Sequence, residues 1–221
     1  MAKSVTDRSI GLFGGTFNPI HHGHLRVAAA LAEHLGVTQM RMLPCALPPH
    51  REQPEVSAEQ RLAMLELAIK GQPMLRADGL ELHRQGPSYS IDTVVQVRRE
   101  IADQVPLFFC LGMDALTGLS SWHRWRELLD HCHIVVCSRP GWPPPNREPL
   151  ANWINQNRCD DLNAVKNCDR GHIYFCDQVN LDLSSTAVRE NLRENPEQSS
   201  CIADMIPLAV ASYIKQHQLY K

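Results

Sequence analysis

The sequence predicts an α/β fold: a doubly wound parallel sheet with helices on both faces, built as a single domain. Three observations lead there. Short apolar runs that read as strands alternate with amphipathic runs that read as helices from residue 10 to residue 217, the pattern of crossover units on a parallel sheet. The 221 residues suffice to bury one such core without disulfides or a structural metal. The stretches richest in glycine, histidine and serine follow apolar strands, where sheets of this kind bind ligands.

The elements follow in order. "SIGLFGG", residues 9 to 15, reads as a buried strand running into a glycine turn. Leu25, Ala28, Ala29, Ala32 and Leu35 recur at helical spacing, and Gly36 is placed to stop that helix. "TQMRMLP" is a second strand ended by Pro44, and "CALPPHREQPEVS" is too rich in proline for either regular element. Ser57 with Gln60 forms a capping box that opens a helix through about Lys70. "LRADGLELHR" reads as extended, and "GPSYSIDTVVQVRREI" turns into a helix. "VPLFFCLGMD" is a buried strand, "WRELLDHC" a helix and "HIVVCSRP" a strand; "GWPPPNREP" is a loop or lid. "HIYFCDQV" is a further strand, "SSTAVRENLRE" a helix, and "PLAVASYIKQH" a closing helix with Pro207 in its first turn.

Charge and composition exclude several classes. A formal net charge of −2 provides no basic field for nucleic acid. "MAKSVTDRSI" lacks the apolar region of a signal peptide, and no later apolar run reaches the length of a membrane span. The expectation is a soluble cytoplasmic protein with residues 1–9 flexible and residues 10–221 as the domain. Its eight cysteines, none in a CxxC pair, then remain thiols, with Cys110, Cys137 and Cys176 buried in apolar runs. The sequence shows no internal repeat and leaves the oligomeric state, homo-oligomer included, open.

"GGTFNPIHHGH", residues 14 to 24, carries the chemistry. Gly14 and Gly15 let the backbone turn tightly and approach a ligand. The stretch matches neither G-x-G-x-x-G nor the Walker pattern. His21 and His24 could ligate a metal, but no HExxH pattern or carboxylate partner accompanies them. They could act as bases, but two are more than one proton transfer needs. Donors at a helix start, facing phosphate oxygens, fit better, because free N–H groups and the helix dipole favour an anion there.

On these residues the chain resembles the nucleotidylyltransferase superfamily, whose H-x-G-H signature holds nucleotide phosphates. "LSSTAVR", residues 183 to 189, resembles its second signature, I-S-S-T-x-I-R. "PPHR", "RLAML", "PSYSIDT" and "LGMDAL…SSWHRW" narrow the resemblance to the bacterial nicotinate-mononucleotide adenylyltransferases over nearly the whole chain, and with it to a Rossmann-like fold. The phosphopantetheine and glycerol-phosphate enzymes share H-x-G-H but lack the "PSYSIDT" plus "SSWHRW" combination. A nucleotide sensor without catalysis, and a His/Cys metal protein, are the readings from other classes.

The resemblance implies transfer of AMP from ATP to nicotinate mononucleotide, giving deamido-NAD and pyrophosphate, by in-line attack without a covalent intermediate. It implies His24, His21, Arg51 and Arg189 as catalytic groups. The ATP site would comprise Gly14, Gly15, Thr16, Phe17, Asn18, His21, His24, Gly112, Asp114, Ser184, Ser185, Thr186 and Arg189. The segment 183–221 would form a C-terminal helical part carrying the second of these signatures. Gly15, Thr16, Ser90, Trp122 and His123 would hold the mononucleotide, Trp122 by stacking and the helix start at Ser90 through its N–H groups. Mg²⁺ would ride on the ATP phosphates with no ligand from the protein. Arg51 stands where the family has lysine, Ser90 where it has threonine, and His123 where tyrosine is common. Trp125, three residues beyond Trp122, reads as core, and Trp142 sits among prolines with no evident partner.

Overall fold

The computed structural model of the chain describes residues 9–45, 56–84, 86–137, 143–177, 183–194 and 202–221. Its six strands are β1 (Ile10–Gly15), β2 (Gln39–Pro44), β3 (Leu75–Ala77), β4 (Leu107–Gly112), β5 (His133–Cys137) and β6 (Ile173–Cys176). They form one sheet in the order β3-β2-β1-β4-β5-β6. The ladders are parallel: Ile10 aligns with Leu107, Phe108 with His133, and Ile134 with Ile173. The sheet grows in one direction through β2 and β3 and in the other through β4 to β6. That is the predicted doubly wound order, which directs ligands past the carboxyl ends of the strands.

The helices are α1 (His22–Leu35), α2 (Ala58–Ala68), α3 (Ser90–Glu100), α4 (Met113–Gly118), α5 (Leu150–Asn157), α6 (Leu162–Lys166), α7 (Ser185–Glu194) and α8 (Leu208–Gln216). Helix α1 stops at Gly36, whose φ of +66° is a conformation that side chains disfavour. Ser57 caps α2 with the predicted box: its Oγ accepts from the Gln60 N–H, and its own N–H donates to Gln60 Oε1. Every residue of β5, and β4 from Leu107 to Leu111, is buried, as expected of strands covered on both faces.

The chain divides into two compact units. The first comprises Met1–Phe13, Leu31–Arg41 and Tyr89–Asn180; the second comprises Gly14–Ala30, Met42–Ser88 and Leu181–Lys221. In the first unit, buried Arg98 on α3 staples three segments through their carbonyls: Nε donates to His131, Nη1 to Val105 and Nη2 to Asp169. Trp125 is core, as predicted, with its ring edge-on to Trp153 at 4.8 Å. Cys110, Cys137 and Cys176 are buried thiols, and burial pushes Cys137 up to about 12.

Three stretches differ from the sequence reading. "LRADGLELHR" stays extended only for Leu75–Ala77, because Asp78 Oδ1 accepts from the Leu80 N–H and starts a turn. "WRELLDHC" forms a 3₁₀ helix over Trp125–Asp130. Arg124 enters it at φ +51°, and i to i+3 bonds such as Glu127 N–H to Arg124 O tighten it. Helices α5 and α6 are additions to the reading; each buries only one or two residues, Leu150 with Ile154, and Val165. No helix among the described residues is long and apolar enough to cross a membrane.

Candidate functional site

The second unit gathers the loop after β1, the start of α1, and helices α2, α7 and α8. Gly15 ends β1, and a Cβ there would lie 2.8 Å from Cε1 of Phe17. Only glycine admits that ring. Phe17 is buried in the left-handed region at φ +46°, a costly conformation that the surroundings must enforce. Its ring meets His24 edge-on, with centroids 5.0 Å apart.

His21 and His24 stack face to face, with centroids 3.6 Å apart and an angle of 18° between the rings. The His24 backbone N–H donates to His21 Nδ1 at 3.2 Å, which places the proton of neutral His21 on Nε2. Burial is the main cause lowering His21 to about 4, with His22 adding to it against an opposing main-chain hydrogen bond. Burial and then His21 lower His24 to about 3. Near neutral pH both rings are therefore uncharged donors and acceptors. His24 Nδ1 is buried without a partner, a state that few buried polar atoms show.

Four side chains from distant parts of this unit hold the loop between the strand and these histidines. Arg61 on α2 donates from Nη1 to Thr16 O and from Nη2 to Cys45 O, both at 2.6 Å. Arg189 on α7 donates from Nη1 to Asn18 O at 2.7 Å and from Nη2 to Thr186 Oγ1 at 3.2 Å. Ser185 Oγ donates to Pro19 O at 3.1 Å. Tyr220, beyond α8, donates its hydroxyl to Asn18 Oδ1 at 2.7 Å. Ser184 Oγ accepts from the Ala187 N–H at 3.2 Å, capping α7 as its position in "LSSTAVR" predicts.

Gly14, Gly15, Thr16, Phe17, Asn18, His21, His24, Ser184, Ser185, Thr186 and Arg189 thus all lie in the second unit. The sequence reading turns Ser185 and Arg189 towards a ligand; in the structure both grip carbonyls of the first signature. Gly112, Ser90, Asp114, Trp122 and His123 belong to the first unit. There Gly112 precedes α4, and a Cβ on it would lie 2.6 Å from Asp114 Oδ1, so glycine lets that carboxylate fold back. Ser90 is the first residue of α3, following Tyr89 at the cap. The His123 ring lies 4.5 Å from that of Tyr89, and half-buried Trp122 meets Phe109 of β4 edge-on at 6.4 Å. Arg51 and Trp142 lie outside the described residues.

Arg61 and Tyr220 are additions to the predicted site. Arg61 had a signal in the sequence: with Met64, Leu65 and Ala68 it forms the buried stripe of α2. A cation in an apolar stripe has work inside the fold. Tyr220 had none, because its partner is 202 residues away.

A family model for cytidylyltransferase-like proteins matches residues 12–191. A probable nicotinate-nucleotide adenylyltransferase of Yersinia enterocolitica is 44% identical over 220 residues, covering 99% of this chain and 98% of the relative. One of the same description from Pseudomonas putida is 42% identical over 221 residues, with 100% and 99% covered. Among solved structures, Plasmodium falciparum nicotinic acid mononucleotide adenylyltransferase complexed with NaAD matches with a TM-score of 0.71 at 18% identity, covering 96% of this chain and 97% of that one. At that identity the likeness speaks for the fold.

Proposed function

This chain belongs to the cytidylyltransferase-like family and to its nicotinate-nucleotide adenylyltransferases, and from that premise we propose how its residues carry out the reaction. The 5′-phosphate of nicotinate mononucleotide attacks the α-phosphorus of ATP, a P–O bond forms as the bond to pyrophosphate breaks, and deamido-NAD and pyrophosphate leave. The attacking phosphate is already ionised near neutral pH, so the protein need not supply a strong base. Its contribution is position and stabilisation of charge on the phosphoryl oxygens.

The observation that carries this reading is the stacked pair of neutral imidazoles at the start of α1, where His24 Nδ1 is buried without a partner. Groups held that far below neutrality are poor traps for a proton but good fixed donors. His24 meets the α-phosphate, and His21, with its proton on Nε2, helps hold the chain of phosphates. Ser184, Ser185, Thr186 and Arg189 at the start of α7 serve the β- and γ-phosphates. Mg²⁺ arrives as part of the ATP substrate, held by its phosphates. Asp114 takes a ribose hydroxyl.

For the second substrate, Trp122 stacks on the pyridine ring and the N–H groups at the start of α3 receive the carboxylate. A carboxylate accepts from such donors, whereas an amide turns an NH₂ towards them and leaves one unsatisfied. That mismatch costs about 1–3 kcal/mol, so the acid is preferred to the amide by roughly tenfold to a hundredfold in kcat/KM. Pyrophosphate release with ATP and each mononucleotide tests it. Trp122→Ala should slow both substrates alike, because stacking reads the ring and not its substituent. Equal kcat/KM for acid and amide in the wild type would remove the α3 start from substrate recognition.

A further inference from the structure

We propose that Tyr220 is a positioning residue for ATP, acting through the side-chain amide of Asn18 in the loop after β1. This rests on the reading of that loop as the nucleotide site. Tyr220 is 4% exposed, and its hydroxyl donates to Asn18 Oδ1 at 2.7 Å. A buried tyrosine hydroxyl ordinarily finds some acceptor, so the bond alone argues only for packing. The identity of the acceptor argues for more.

Arg61, Arg189 and Ser185 hold the same loop by the carbonyls of Thr16, Asn18 and Pro19. They fix where the main chain runs but leave side-chain orientation alone. Tyr220 grips a side chain. An amide has one acceptor end and one donor end. With the phenol donating to Oδ1, the Nδ2 hydrogens of Asn18 are the end left to donate. For a loop that receives phosphate oxygens this is the useful orientation; the opposite one would present an oxygen to an anion.

The backbone is bent to bring the phenol there. Gln218 and Tyr220 both take left-handed conformations, at φ +55° and +61°, which non-glycine residues adopt only when their surroundings require it. The Leu219 N–H donates to Ile214 O, tying the bend to α8, and α8 packs on α2, which carries Arg61. The two supports of the loop are therefore built on one pair of helices.

Tyr220→Phe removes the hydroxyl and keeps the ring. Titration calorimetry with MgATP alone, without a second substrate, should show binding weakened about tenfold, the worth of one well-placed hydrogen bond. In steady state KM for ATP should rise while KM for the mononucleotide stays put, and Tm should stay within a few degrees. Asn18→Ala should weaken ATP binding too, and adding Tyr220→Phe to it should weaken it no further, because the proposed effect of the phenol on ATP runs through that amide. Unchanged ATP affinity in Tyr220→Phe overturns the proposal, as does full additivity in the double variant. Wild-type protein that binds no MgATP overturns the nucleotide reading of the loop and this proposal together.

Discussion

Each unit of the molecule contains a buried arginine and a stacked pair of histidines, and the two sets differ in how completely their polar atoms are matched. In the first unit, Arg98 places Nε, Nη1 and Nη2 on three carbonyls. His133, wholly buried, accepts the His172 N–H on Nδ1 and donates from Nε2 to Cys168 O, with its ring 5.5 Å from that of His172. In the second unit, Arg61 places Nη1 and Nη2 on carbonyls while its Nε is buried without a partner, as is Nδ1 of His24. Both sets have imidazoles held far below their ordinary range, His133 to about 4 and His24 to about 3, with burial as the first cause. A lowered imidazole therefore does not mark a site by itself. What distinguishes the two sets is the pair of unmatched atoms, His24 Nδ1 and Arg61 Nε, in the second.

The comparison is broken most sharply at the histidines. His24→Ala should lower kcat by about two to three powers of ten with the melting curve little changed, as for loss of one oxyanion-type donor. His133→Ala should do the reverse. A His24 variant with wild-type kcat would dissolve the distinction between the two pairs.

The arginines come next. Arg98→Met strands three carbonyls and should cost at least about 3 kcal/mol of stability, read from urea unfolding, with unchanged KM in the folded fraction. Arg61→Met should raise KM for ATP by more than its loss of stability explains, because it frees Thr16 and Cys45. Equal KM values for the two variants would make both arginines plain staples.

The smallest effect concerns pH. The folded His133 has its pKa lowered from 6.5 to about 4, so between these values the unfolded chain binds more protons. Stability is then complete above pH 6.5 and falls as pH drops towards 4. From pH 7 to pH 5 the loss from this residue is about 2 kcal/mol. Unfolding free energies that are flat or rising on acidification would contradict the buried neutral state.

The sequence made the sheet legible because strands buried on both faces leave runs such as "LFFCLG", and helices between them leave a periodic stripe. It made the local setting of Gly15, His21, His24 and Ser184 legible because a glycine turn, a helix start and a capping hydroxyl are local chemistry. It hid what is not local. Arg61 works through carbonyls, which every residue possesses, so nothing in the partner's identity advertises the contact. The bond of Tyr220 to Asn18 is made by folding alone. Helices α5 and α6 escaped notice because one or two buried residues do not make a periodicity.

The grip of Arg61, Ser185 and Arg189 on main-chain oxygens bears on how this protein can change. A carbonyl is present whatever side chain is attached, so these supports survive substitution at position 16, where Arg61 bonds to Thr16 O and not to its side chain. Position 16 can therefore drift, or be varied in a library, without unseating the loop. Position 18 cannot drift so freely, because Tyr220 reads its amide. Evolvability is divided between neighbouring residues of one turn according to whether the scaffold holds their backbone or their side chain.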